Sequence, residues 1–109
     1  METGEKRLCG QQAVWNYEEE NGLLIIQGVG AMEDYTEPEQ VPWNTLIQEI
    51  KTVVIRNGIT TVGDYAFAGC SSLQEVTLPG SVEIVGVFSF KGCTGLREIV
   101  IPEGVRVLA

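Results

Sequence analysis

The sequence predicts an α/β repeat fold. It is a solenoid of 23-residue coils made of short parallel strands and helical or 3-10 turns, preceded by a cap that contains a β-hairpin. Three observations predict it. Apolar positions recur every 23 residues over residues 50–109: Val53, Val76 and Ile99 are equivalent, as are Ile55, Leu78 and Ile101, and Ile59, Val82 and Val105. Rarer residues keep the same period, Phe67 with Phe90, Gly69 with Gly92, Cys70 with Cys93 and Pro79 with Pro102. Residues 9–49 carry no copy of the unit and read as a cap. A fixed period of this size marks architectures in which each unit buries its apolar face only against its neighbours. The expected division is a cap over 1–49 and repeats over 50–72, 73–95 and a partial 96–109.

In chain order, residues 1–8 are polar and are expected to fray. Residues 11–29 read as a hairpin: Ala13, Trp15 and Tyr17 alternate, Leu23, Leu24, Ile25 and Ile26 form an apolar run, and Asn21-Gly22 between them signals a tight turn, because both residues accept positive φ. The neighbouring Glu18, Glu19 and Glu20 suit a solvated loop. Residues 31–42 read as an irregular connection. Trp43, Leu46, Ile47 and Ile50 stand at helical spacing and predict a short helix through about Glu49, packed on the first coil. Each repeat then opens with a strand, Leu73, Val76 and Leu78 facing inward in the middle unit. Pro79-Gly80 turns the chain, Val82 to Val85 gives a second extended piece, and Phe88 to Cys93 makes a tight helical or 3-10 turn. Leu108 is expected to match Val62 and Val85. The chain stops with this third unit incomplete, so it reads as a segment with an open end, expected to self-associate there as edge strands do.

Composition narrows the function classes. The net charge is −8 with only 7 Lys+Arg, which disfavours nucleic acid and anionic membranes, since phosphate binding draws on clustered cations. The charge serves solubility. No apolar run approaches the roughly 18 residues of a membrane span, and no basic, apolar leader opens the chain. The 44% hydrophobic content argues against disorder. Of the three cysteines, Cys70 and Cys93 are repeat equivalents and Cys9 stands apart. Their spacing fits no zinc pattern and there is no His to complete one. Stacked strands lie about 4.8 Å apart, so a Cys70–Cys93 disulfide is conceivable, but two reduced, buried thiols acting as small apolar fillers are preferred.

The unit running from Ile59 through Val62-Gly63, Ala66-Phe67, Cys70, Leu73, Val76 and Leu78-Pro79 resembles the BspA-like leucine-rich repeat family. Cys9-Gly10, Trp15, Gly22, Leu24, Ile26, Gly28, Gly30, Met32, Asp34-Tyr35 and Pro42-Trp43 resemble the cap that often precedes such repeats. The resemblance covers residues 9–108. Ser89 stands where Ala is usual, and Val87-Phe88 where more polar residues are. The resemblance implies a leucine-rich-repeat solenoid, a secreted or surface-anchored bacterial protein, and a role in adhesion or protein recognition. It carries no catalytic motif.

No His means no nucleophilic triad and no His-based metal site. Glu33, Asp34 and Glu37 cluster in the cap loop without the spacing of a calcium loop. Asp34 is expected to bond its local turn, and Thr61 and Asp64 read as ordinary surface residues. Glu75 and Glu98 stack on the strand face, but a thin solenoid has no sugar-sized cleft between carboxylates. No catalytic residue, metal ligand or cofactor is therefore expected. The informative positions face outward. One candidate binding face has three columns: Lys51, Gln74 and Arg97; Thr52, Glu75 and Glu98; Val54, Thr77 and Val100. A second candidate is an apolar patch of Ile84, Val87, Phe88 and Val107. The expected function is non-enzymatic recognition of a protein or glycan at a bacterial surface. The competing reading is a structural spacer that displays other domains.

Overall fold

The structure, a computed structural model, describes residues 7–108. Nine short strands are built from the alternating segments: β1 Ala13–Glu18, β2 Leu23–Gly28, β3 Gly30–Ala31, β4 Thr52–Ile55, β5 Ile59–Val62, β6 Glu75–Thr77, β7 Ile84–Val85, β8 Glu98–Val100 and β9 Arg106–Val107. They form two sheets. The first has order β1-β2-β4-β6-β8 and the second β3-β5-β7-β9. Among the described strands β1 runs antiparallel to β2, and the other strand pairings are parallel. The two sheets face each other across the apolar core, and the described residues extend over 42 × 27 × 25 Å.

The hairpin forms as the alternation predicts, with Trp15 opposite Ile26 and Tyr17 opposite Leu24. Its connection is wider than a two-residue turn. Glu18 still pairs with Leu23, and among the loop residues only Gly22 takes positive φ, 62°. Three adjacent carboxylates are thereby held out in solvent. Part of the polar start, residues 1–6, lies outside the described residues; Leu8 makes an isolated bridge to Val14.

The repeat positions stack in register. Leu24, Val53, Val76 and Ile99 form one inward row across β2, β4, β6 and β8. The first three are buried and Ile99 is half-buried. The expected second row is complete only in part: Ile55 and Leu78 are buried, but Ile101 is 43% exposed. Ile59 and Val82 are buried, and Val105 is half-buried against the same core. The hairpin strand β2 supplies Leu24 and Ile26 to these rows, so the amino-terminal part adds a rung to the first sheet, not only a lid.

Two expectations about the turns need correction. The helix expected from Trp43 is a single 3-10 turn, Asn44–Leu46, with a second one at Pro38–Gln40 inside the stretch read as irregular. The segment is too short for more, because Trp43 and Ile50 are both anchored in the core at its ends. The turns after β5 and β7 are not helical. They carry left-handed backbone at Tyr65 (φ 61°) and Phe88 (φ 56°), then at Gly69 and Gly92. Left-handed backbone at an aromatic residue costs energy. Here it is held by a ladder in which the Tyr65, Phe67 and Gly69 N–H groups donate to the carbonyls of Val87, Ser89 and Lys91, at 3.0, 2.8 and 2.7 Å.

The register of the second sheet also departs from strict period. Ile84 pairs with Arg106 and Val85 with Val107, so Leu108 does not take the place of Val62 and Val85; it is 39% exposed. The shift is tolerated because β9 buries neither of its residues and nothing on its inner side fixes the register.

Candidate recognition surface

The outer face of the first sheet brings most of the sequence-predicted columns together. Thr52, Glu75 and Glu98 are adjacent in register, and so are Val54, Thr77 and Val100. The hairpin extends both rows, which sequence periodicity does not show. Leu23 pairs with Thr52 and Ile25 with Val54, and beyond them β1 adds Glu18 and Asn16. One row is therefore Glu18, Leu23, Thr52, Glu75, Glu98, and its neighbour is Asn16, Ile25, Val54, Thr77, Val100. The signal that could have revealed the extension is the alternation of Leu23 and Ile25 with the buried Leu24 and Ile26. Lys51, Gln74 and Arg97 stack as well, the Gln74 N–H donating to Lys51 O (2.8 Å) and the Arg97 N–H to Gln74 O (3.0 Å). They lie just ahead of the strands, on the rim, and not on the face itself. A shallow depression of about 230 Å³ opens between β6 and β8, lined by Glu75, Val76, Thr77, Glu98 and Val100.

The second candidate divides. Phe88 and Val107 line one groove of about 380 Å³ together with Phe90, Lys91 and Leu108. Ile84 and Val87 are half-buried and take no part in it. Phe88 takes left-handed backbone, and its ring packs on Tyr65 with centroids 5.5 Å apart. The Lys91 ammonium lies 4.9 Å over the Phe88 ring.

Beneath both surfaces runs an aromatic column. Trp43 stacks on Phe67, and Phe67 on Phe90, each pair 5.5 Å apart with planes 17° and 21° from parallel. Trp43 Nε1 donates to the Ala66 carbonyl at 2.9 Å, which satisfies its polar end in the core. The expected local bond of Asp34 is instead a link between units. Its Oδ1 accepts from the Asp64 N–H (2.9 Å), and Asp64 Oδ1 accepts from the Val87 N–H (2.8 Å). Asp64 is thus a structural acceptor, not an ordinary surface residue. Glycine at 63 is required beside it, because a Cβ there would overlap the Glu33 carbonyl oxygen.

All three cysteines are free. Cys9 and Cys70 are fully buried, whereas Cys93, expected to be buried, is half-buried. Burial pushes the Cys9 and Cys70 thiols up to about 12, helped by the charge of Glu33 at Cys9 and by Cys93 at Cys70. Burial also raises Cys93, to about 11, against a lowering contribution from the Cys70 backbone. Its Sγ donates to the Phe67 carbonyl at 3.2 Å. Thiols held neutral this way are packing groups, not nucleophiles. Burial likewise raises Tyr35, whose hydroxyl is enclosed without a hydrogen-bond partner among the described residues. Among the described residues no group of three or more His, Cys, Asp or Glu is arranged to hold a metal ion. No helix of the described residues is long and apolar enough to cross a membrane.

Parallel strands in register, paired short sheets and a rung of repeated aromatic turns define a leucine-rich-repeat protein. Residues 45–109 match the family described as BspA type leucine rich repeat region (6 copies). The chain belongs to that family. The fold is similar to the crystal structure of a leucine-rich repeat protein from Eubacterium ventriosum, with TM-score 0.84 and 28% identity over 91% of this chain and 26% of that one. It is also similar to a T. pallidum leucine-rich repeat protein, with TM-score 0.51 and 27% identity over 85% of this chain and 38% of that one. A leucine-rich repeat protein from Bacteroides ovatus, 22% identical with TM-score 0.50 over 87% of this chain and 23% of that one, shares the fold. This chain spans 26% of the Eubacterium ventriosum protein's length. No protein of curated function matches the sequence.

Proposed function

We propose that the chain is a non-enzymatic protein-recognition module of a secreted or surface-exposed bacterial protein, built as a capped solenoid with one turn per 23 residues. Its binding face is the outer side of the first sheet. One observation carries the reading: two rows of outward side chains run unbroken and in register from β1 to β8. A partner would meet them side chain by side chain, because β2, β4 and β6 already pair on both edges. Protein is favoured over glycan because neither row contains an aromatic ring on which a sugar could stack. The secreted or surface location and a role in adhesion come from the family resemblance.

The experiment is selection of binders from a displayed peptide library on the wild-type chain, followed by competition. Thr77→Arg with Val100→Arg, both at exposed positions, should abolish binding. Asn57→Arg with Glu83→Arg, exposed but off this face, should leave it intact. The reverse pattern overturns the assignment of the face. Selected binders that ignore both pairs favour the spacer reading.

A further inference from the structure

We propose that the partner segment for this face is a cationic amphipathic polypeptide, its apolar side chains seated on the Ile25, Val54, Thr77, Val100 row and its Lys or Arg side chains directed at Glu75 and Glu98. The proposal rests on the sheet-face reading above and names the chemistry of its ligand. The two carboxylates are directly paired across β6 and β8, and neighbouring strands are about 4.8 Å apart. Like charges set opposite each other on a sheet are destabilising, and both side chains are exposed. The depression between the strands has those carboxylates on one side and Thr77 and Val100 on the other. Val100 is 65% exposed, the most exposed of the large apolar side chains among the described residues.

Charge sets both the sign and the approach. The chain carries −8 overall, which draws a cationic partner in. The rim cations Lys51 and Arg97 border the acid row on the side where the strands begin, so a positive side chain is repelled from there. It enters from the neighbouring row, where Val54 and Val100 flank Thr77. The segment therefore lies along the stacking direction over Ile25, Val54, Thr77 and Val100, with its cationic flank towards Glu75 and Glu98. Spacing agrees, because successive strands present a side chain about every 4.8 Å and helix positions three or four apart lie about 5–6 Å apart.

The test uses three labelled peptides of one amphipathic pattern: leucine with lysine, leucine with glutamate, and serine with lysine. Binding is followed by fluorescence anisotropy at two salt concentrations. The leucine–lysine peptide should bind, more weakly at the higher salt, and the other two should not. Glu75→Gln with Glu98→Gln should weaken it about tenfold while raising the melting temperature of the free protein, because the repulsion is gone. That opposite movement separates lost recognition from lost folding. Glu37→Gln with Glu39→Gln removes the same charge from the exposed cap loop and should leave binding unchanged. Equal weakening by both pairs would show non-specific charge attraction and overturn the proposal. Binding of the leucine–glutamate peptide that is lost in Thr77→Arg with Val100→Arg would overturn the cationic preference and leave the face reading standing. Peptide binding that survives every substitution on this face would overturn both.

Discussion

Trp43 lies on Phe67 as Phe67 lies on Phe90, at the same 5.5 Å centroid separation. A residue outside the repeat thus starts the aromatic column of the repeat. Its indole N–H also ties the column to the Ala66 carbonyl. The cap and first unit share this side chain, so their stabilities are coupled through it.

Trp43→Ala should destabilise the protein by about 3–5 kcal/mol, as large aromatic truncations in cores do. Trp43→Phe keeps a ring in the column and loses only the bond to Ala66, and should cost about 1–2 kcal/mol. Urea denaturation checks both. Equal losses would show that the hydrogen bond, not the stacking, carries the effect.

Val76 and Ile101 belong to the two neighbouring apolar rows of the repeat, yet they differ in burial, 4% against 43%. Val76→Asp should cost about 3 kcal/mol or more, because it places an unpaired charge in the core. Ile101→Asp should stay within about 1 kcal/mol of wild type. An unchanged melt for Val76→Asp would contradict the inward row.

Asp64→Ala removes the acceptor for the Val87 N–H and should cost about 1 kcal/mol, whereas Asp64→Asn keeps an oxygen there and should cost less. Thermal melts at neutral pH compare them. A larger loss for Asn than for Ala would show that the Asp64 oxygen is not what holds the β5 and β7 turns together.

Stability should fall in alkaline solution. An unfolded thiol ionises near about 8.5, while burial pushes Cys9 and Cys70 up to about 12. The folded state keeps protons that the unfolded state releases. The thiol contribution is therefore whole below about pH 8.5 and is lost as pH rises towards about 12, by at most about 1.4 kcal/mol per pH unit for each thiol. Urea midpoints from pH 7 to pH 10 check this, and Cys70→Ala should flatten the decline. A flat wild-type profile would contradict burial. Under native conditions Cys93 should label before Cys70, because only Cys93 is partly exposed.

Tyr35→Phe should be neutral or stabilising by up to about 1 kcal/mol, since the enclosed hydroxyl it removes meets no hydrogen-bond partner in good geometry among the described residues, although Glu33 stands close enough to add to the upward shift of Tyr35. Calorimetry decides it. A clear loss of stability would show that the hydroxyl is satisfied in solution.

The repeat was legible in the sequence because buried positions tolerate few side chains. Val53, Val76 and Ile99 must stay aliphatic to share a row, and Phe67 and Phe90 must stay flat to stack. The outer columns were legible for the same reason, by alternation with those rows. What escaped sequence reasoning depends on contacts between unlike segments. Leu23 and Ile25 join the outer rows only because β2 pairs with β4. Trp43 reaches the column through a 3-10 turn whose spacing imitates a helix. Asp34 and Asp64 look like any surface carboxylates until the N–H groups of the next unit come within reach. The slip at β9 was invisible because its residues are solvent-exposed and no burial pattern fixes them.

The position of the indoles has an optical consequence. Trp15 and Trp43, the protein's 2 tryptophans, meet edge to face 5.7 Å apart, and Tyr35 stands 6.5 Å from Trp43. Tyrosine emission will drain into this one cluster. Intrinsic fluorescence is therefore a local gauge of the junction between hairpin and first unit, blind to the strands around Glu98. Backbone ellipticity, by contrast, averages over every strand. Agreement of the two signals through a melt would mean that the stack unfolds as one body, and a lag between them would measure how far the units come apart singly.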